Sequence, residues 1–305
     1  MSLKLTILGC HSATPRVNAH PTAQYLEINN HFFLIDCGEG TQVQLRKYQV
    51  KFSKIKHIFI SHLHGDHIFG LVGLVSTFRL LNREHELHVY GPKGIKELIT
   101  LQLKLSNSWT HYPLLFHELT SKESELIFED DKVEVSTIPL NHRIYTNGFL
   151  FKEKLGERKL NMSTIQQFDE IEVCDYQNLK NGRDFTLKTG EILKNNMLTQ
   201  DPPSPKSYAF CSDTSYFPEI IPQIKNVNCL YHETTFLKDK ENLAATTKHS
   251  TAEQAAKIAK EADVKKLIIG HFSGRYKNKG AFLDEATPIF EDTILAEEGK
   301  TFVIE

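Results

Sequence analysis

The sequence is poor in the features that mark secreted, membrane-embedded or strongly charged proteins, and each shortage argues against a class. Its 305 residues hold only five cysteines, Cys10, Cys37, Cys174, Cys211 and Cys229, odd in number and without a C-x-x-C pair. That pattern argues against a disulfide framework and suits a reducing compartment. Cys37 and Cys211 stand near candidate site residues, and both read as inert packing, because free cysteine is among the most buried residue types. No apolar run approaches the ~20 residues needed to span a bilayer, and Met1 to Cys10 is too short and too mixed for a secretory signal. The expectation is a cytoplasmic protein with no membrane partner. A surplus of one charge is missing too, since 36 Lys and Arg against 38 Asp and Glu leave a net charge of −2. Any contact with RNA must therefore come from a local basic surface. What remains, 40% hydrophobic and 24% charged, is the composition of a globular chain able to bury a substantial core.

Histidine is present in quantity, and three of the 15 crowd into Ser61-His62-Leu63-His64-Gly65-Asp66-His67. Neutral imidazoles and carboxylates are the ligands that borderline divalent metals accept. The preceding Lys56-His57-Ile58-Phe59-Ile60 reads as a buried strand, and the residues from Ile68 to Leu81 carry helical spacing. The cluster thus lies at a strand end, on the turn before a helix, with Gly65 allowing the turn. Alternate residues of an extended loop point the same way, so His62 and His64 can grip one ion while Asp66 and His67 face a second position. A histidine-rich surface loop is the bland alternative. One cluster cannot close two metal sites, so further ligands must come from far along the chain.

The strands supply candidates in order. Lys4 to Cys10 is strand-like, and Gln24–Ile28 and Phe32–Asp36 flank Asn29-Asn30 as a hairpin. Asp36 ends the second of these, where it could orient a ligand histidine or serve a turn. Thr41 is a plausible cap for a helix over Thr41–Arg46. The alternating Val133–Asn141 presents His142 just past its end, the strand-like Ser207–Cys211 leads to Asp213, and Cys229–Tyr231 leads to His232-Glu233-Thr234-Thr235. Lys248-His249-Ser250-Thr251 precedes an alanine-rich helix with a Ser/Thr cap, and Leu267–Gly270 presents His271, with Ser273, Arg275 and Tyr276 beyond. Asp213 is the natural bridging carboxylate, able to offer one oxygen to each of two metals. His11, His20, His85, His88, His111 and His117 carry no spacing signature and read as ordinary residues. Residues 150–195 are charged and punctuated by Asn181-Gly182 and Thr189-Gly190, an excursion from the core that is either a solvated loop or an arm gripping a polyanion. Apolar strands ending in His62/His64, His142, Asp213 and His271 would converge at one edge of a buried sheet with helices outside.

The motif set Asp36–Gln42, His62–His67, Pro139–His142, Ser212–Thr214, His232–Thr235, His249–Thr251 and Gly270–Tyr276 closely resembles the metallo-β-lactamase superfamily and, within it, the ribonuclease Z family of tRNA 3′-end endonucleases. The first clusters point to the superfamily; the His-Glu-Thr-Thr, His-Ser-Thr and His-x-Ser-x-Arg-Tyr elements point to the family. The resemblance implies an α/β fold, an αββα sandwich of two mixed β-sheets flanked by helices, as a single domain over residues 1–305 with a tRNA-binding arm inserted at about 150–195. It implies two zinc ions per subunit, with manganese as an alternative occupant. His62, His64 and His142 would hold the first ion, Asp66, His67 and His271 the second, and Asp213 would bridge them. It also implies a homodimer in which an arm of one subunit holds tRNA. This chain departs from the bacterial pattern there, because the arm has no Gly-Pro turn.

The implied reaction is hydrolysis of one phosphodiester of precursor tRNA, removing the 3′ trailer and leaving a 3′ hydroxyl. Asp66 would also orient the attacking water and accept its proton. His249, paired with Glu233, would protonate the leaving oxygen, since a carboxylate partner raises the pKa of a histidine. Ser273 and Arg275 would hold a phosphate, the guanidinium by a bidentate contact. One rival is a hydrolase of the same fold acting on small phosphodiesters, lactones or sulfate esters. Another is a metal-stabilised RNA-binding protein without catalysis, against which the intact Asp66 and His249 speak.

Overall fold

Alternation along the strands decides the layering. In the computed structural model, which describes residues 3–14 and 16–304, Phe33, Ile35, Phe59 and Tyr90 are buried on one side of their strands and Leu34, Ile58, Ile60 and Val89 on the other. A sheet buried on both faces needs a layer on each. The first sheet runs in the order Thr301–Ile304, Leu3–Gly9, Ala23–Ile28, His31–Ile35, His57–Phe59, Leu87–Pro92, Leu114–Leu119, antiparallel at first and parallel from His31–Ile35 onward. The second runs Thr293–Leu295, Leu267–Gly270, Cys229–Glu233, Ser207–Cys211, Asn147–Glu153, Val133–Pro139, Leu126–Glu129, its first four strands parallel.

The two sheets meet through aromatic rings, with Phe33 5.5 Å from Phe151 and Phe59 5.4 Å from Phe149. Each such ring removed from water contributes about 1.5–3 kcal/mol. Helices Leu71–Leu80 and Ile95–Leu105 bring Leu74, Val75, Phe78, Ile99 and Leu103 against the outer face of the first sheet. Helix Ala252–Glu261 packs on the second sheet and on helix Gly280–Ala286. The result is an αββα sandwich.

Local chemistry explains the turns. Asn29 and Asn30 have φ of 46° and 66°, as a tight hairpin requires. Thr251 caps its helix in a reciprocal box with Gln254. Thr41 differs from expectation: Gly40, in the left-handed conformation, precedes helix Thr41–Lys47, and the Thr41 hydroxyl instead donates to the Gly38 carbonyl at 2.7 Å. Gly65 also differs, being the first residue of a short helix, Gly65–Ile68, without a positive φ. Its missing Cβ makes room for the Phe69 ring, which would lie 2.2 Å away. Cys10, Cys37, Cys211 and Cys229 are buried free thiols, and burial pushes Cys37 up to about 12.

The chain divides into two compact units. The larger holds both sheets. The smaller, residues 130–132 with 153–205, has its own core of Ile165, Ile171, Leu179, Leu193 and Leu198. It contains two short strand pairs, and its ion pairs join Arg158 to Asp201, Lys180 to Glu157 and Lys194 to Asp184. Lys152 and Ser207, which flank it in the chain, are cross-strand partners in an antiparallel pair. Among the described residues no helix is long and apolar enough to cross a membrane.

Candidate metal centre

The centre lies where strands of the larger unit end. Strand His57–Phe59 runs into Ser61, His62 and His64 before helix Gly65–Ile68 begins, so Asp66 and His67 occupy the first helical turn. From the second sheet, Val133–Pro139 leads to His142, Ser207–Cys211 to Asp213 and Leu267–Gly270 to His271, while Glu233 is the last residue of its strand. Asp36 and His271 leave their strands with φ of 56° and 63°. Each left-handed non-glycine residue costs about 1–2 kcal/mol, which the packed strand ends sustain.

All seven ligands expected from the sequence converge on two points. Around the first, His62 Nε2 lies 2.9 Å from His64 Nδ1, His142 Nε2 lies 3.2 Å from the same atom, and both face Asp213 Oδ2 at 3.5 and 3.7 Å. Around the second, His67 Nε2 lies 3.4 Å from Asp66 Oδ2 and 3.3 Å from Asp213 Oδ1. His271 Nε2 completes it, 3.4 Å from Asp66 Oδ2 and 3.2 Å from Asp213 Oδ1. The two oxygens of Asp213 are thus divided between the clusters.

The donor set fits divalent ions. Four tetrahedral ligands at ~2.0–2.1 Å from an ion keep neighbouring donor atoms about 3.3 Å apart, close to the spacings observed. His67 Nε2 is buried and has no hydrogen-bond partner among the described residues, although two carboxylate oxygens stand within 3.4 Å. Burial holds the imidazoles of His62, His64 and His142 below the ordinary histidine range, in the neutral form that binds metal. Burial also opposes charge on Asp66, but the His67 charge and the neighbouring His271 outweigh it and hold Asp66 well below the carboxylate range. His67, lowered by burial, is driven well above its usual value by Asp66, Asp213 and Asp36. The carboxylates demand positive charge.

Ligand orientation is fixed from behind. His67 Nδ1 is 2.7 Å from Asp36 Oδ2, so Asp36 orients the His67 ring. Asp36 also accepts from the Ser61 backbone N–H at 2.7 Å and the Ser61 hydroxyl at 2.9 Å, and that hydroxyl is 3.0 Å from His62 Nδ1. His142 Nδ1 donates to the Lys248 carbonyl at 2.8 Å.

Beside the second cluster, His249 Nδ1 donates to Glu233 Oε1 at 2.9 Å, and His249 Nε2 lies 4.0 Å from Asp213 Oδ2. Glu233 is fully buried and also accepts from the backbone N–H groups of Thr214, Thr235 and Ser250 and from the Thr235 hydroxyl. Burial works against charge on Glu233, yet His249 keeps it below the carboxylate range. Burial lowers His249, and the charges of Glu233 and Asp213 more than reverse that, raising it to about 9.

A cleft of about 350 Å³ opens over Asp66, Asp213 and His249, with Arg143, Ser273 and Arg275 on its walls. It shares Ser12, Thr14 and Asp66 with a larger one of about 610 Å³ that is also lined by Arg16, His20 and Phe69. The Arg275 guanidinium sits 6.0 Å over the Phe236 ring, with Nη1 3.5 Å from Ser273 Oγ. Sequence reasoning missed Arg143, which looks like any surface arginine, and gave no role to Ser61 or Thr235, although both lie inside quoted motifs.

Residues 3–181 match the family model described as Anti-Pycsar protein Apyc1. Over 301 residues the chain is 46% identical to the ribonuclease Z of Bacteroides thetaiotaomicron, covering 99% of this chain and 95% of that one. Over 308 residues it is 47% identical to the ribonuclease Z of Cytophaga hutchinsonii, covering 100% and 97%. The crystal structure of the short form of human tRNase Z matches with a TM-score of 0.73 and 27% identity, over 99% of both chains.

Proposed function

We propose, since the chain belongs to the ribonuclease Z family and by its residues 3–181 to the one described as Anti-Pycsar protein Apyc1, that it removes the 3′ trailer of precursor tRNA by hydrolysing one phosphodiester and leaving a 3′ hydroxyl. The observation that carries this reading is the division of Asp213 between two complete ligand sets with the His249–Glu233 pair alongside. His62, His64, His142 and Asp213 would hold one zinc ion, and Asp66, His67, His271 and Asp213 the other. Two such ions would supply a bound water of lowered pKa and positive charge to steady an in-line displacement.

The chain's own groups do the rest. Asp66, ionised throughout the working range, orients the attacking water and takes up its proton. His249, protonated at neutral pH, gives a proton to the leaving 3′ oxygen, while Glu233 holds its ring and stabilises its charge. Arg275 and Ser273 bind a phosphate of the RNA, and Arg143 adds a second cation to the same cleft. The working form is a zinc-loaded homodimer in the cytoplasm, in which the inserted unit of one subunit serves as the arm for tRNA.

The test is Asp66→Ala assayed on precursor tRNA. Cleavage should fall on the order of a thousandfold or more, with 3′-end mapping of the residual product. Undiminished cleavage would remove Asp66 from the mechanism. A second reading, hydrolysis of a small phosphodiester at the same metals, is favoured by the modest size, about 350 Å³, of the cleft over Asp66, Asp213 and His249. It predicts faster turnover of a small diester than of precursor tRNA.

A further inference from the structure

The hydroxyl of Thr235 stands at a junction. It lies 2.7 Å from Glu233 Oε2, 2.8 Å from His271 Nδ1 and 3.1 Å from His249 Nδ1, and the residue is buried. A hydroxyl has one proton to give and two lone pairs to offer, whereas an ionised carboxylate can only accept. Glu233 accepts from three backbone N–H groups and from His249, as a carboxylate does, so the Thr235 proton goes to Glu233. The lone pairs of the hydroxyl then face the two imidazoles, and His271 must donate its Nδ1 hydrogen to Thr235. That assignment leaves the His271 lone pair on Nε2, the atom aimed at Asp66 Oδ2 and Asp213 Oδ1.

Each other imidazole that presents Nε2 to the clusters has a partner of this kind: Ser61 for His62, Asp36 for His67, the Lys248 carbonyl for His142. Thr235 differs in also touching the proposed proton donor. Its backbone is pinned too, with its N–H donating to Glu233 Oε2 at 2.8 Å and its carbonyl accepting from the Ser273 N–H at 3.2 Å. The hydroxyl is therefore held in register with both imidazoles.

We propose that Thr235 is a positioning residue whose hydroxyl fixes the tautomer of His271 and joins the second metal position to the His249–Glu233 pair. The inference rests on the reading of the centre as a two-metal site. Removing the hydroxyl without changing the shape, Thr235→Val, leaves His271 Nδ1 without its acceptor. The His271 ring is then free to carry its hydrogen on the wrong nitrogen. Loss of a partner of this kind typically weakens metal binding 10–100-fold. The first position, built from His62, His64 and His142, does not depend on Thr235.

The experiment titrates zinc into metal-free full-length protein against a chromophoric chelator, for wild type, Thr235→Val and Thr235→Ser. Thr235→Val should bind one ion as wild type does and the second at least about tenfold more weakly, while Thr235→Ser binds both nearly as wild type. On precursor tRNA, Thr235→Val should lower kcat and leave KM unchanged. Wild-type affinity for both ions in Thr235→Val overturns the inference, as does equal weakening in Val and Ser. Should the Val variant not fold, Thr235→Ala takes its place with the same criteria. A wild type that binds fewer than two ions would instead undo the two-metal reading, which keeps the two failures apart.

Discussion

The pairing of Glu233 with His249 sets a measurable property of single residues. His249 is raised to about 9 chiefly because the Glu233 and Asp213 charges overcome its burial. A histidine acting as proton donor is competent below its pKa, so wild-type kcat should decline as pH rises through about 9. In Glu233→Gln the fixed charge is gone while a hydrogen-bond acceptor remains, and the alkaline limb should move down toward 6.5. A pH–rate profile of precursor cleavage checks this, and an unmoved limb would detach Glu233 from the acid. At this scale His62, His64, Asp66 and His67 were legible because their spacing is local and the chemistry of four ligands in six residues is self-evident. Thr235 and Ser61 were not. Their roles depend on where a hydroxyl proton points, and that is decided by a partner such as Asp36 or His271, 25 to 36 residues away.

Elements present the candidate ligands. The parallel strands Ser207–Cys211, Cys229–Glu233 and Leu267–Gly270 are in register, Cys211 opposite His232 and Glu233 opposite Gly270, so the residues that follow emerge at one edge. The sequence showed these strands as apolar runs with polar ends, which is why Asp213 and His271 could be named in advance. It showed less of the inserted unit, whose short strands and helices have too few residues to display a period. The unit also carries less cation than its lysines suggest: seven Lys and Arg against nine Asp and Glu between 153 and 205, a net −2. Arg158, Lys180 and Lys194 are in ion pairs within the unit. If it grips RNA, it does so through few phosphate contacts. Replacing residues 153–206 with an Asn-Gly turn between Lys152 and Ser207 should preserve the fold and turnover of a small chromogenic diester. The same change should raise KM for precursor tRNA about tenfold or more, with little change in its salt dependence. Equal effects on both substrates would favour the small-diester reading.

At the scale of the whole larger unit, one carboxylate closes the chain on itself. Glu298, just before the last strand, lies 3.2 Å from His11 Nδ1, accepts from the His20 backbone N–H at 2.6 Å and His20 Nδ1 at 2.8 Å, and from Gln44 Nε2 at 3.2 Å. Burial opposes its charge, but the neighbouring His11 ring and hydrogen bonds from His20 bring it down to about 2. A carboxyl lowered on folding contributes stability above its unfolded value near 4.5 and loses it as pH falls toward 2. Discounted for partial exposure, Glu298→Gln should cost on the order of 2 kcal/mol at pH 7, and the deficit should vanish between pH 4.5 and 2. Denaturant titrations at several pH values measure it, and a pH-independent deficit would refute the charge. Such a closure was invisible in the sequence, where His11 and His20 are ordinary and lie 287 and 278 positions from their partner. The αββα layering was visible, because a two-residue period on doubly buried strands leaves few other arrangements. The neighbouring positions of Lys152 and Ser207 carry a last implication. They form a socket one strand spacing wide, so a different insert can be plugged in without disturbing any metal-facing side chain, and what such a protein grasps can change while what it cuts with stays the same.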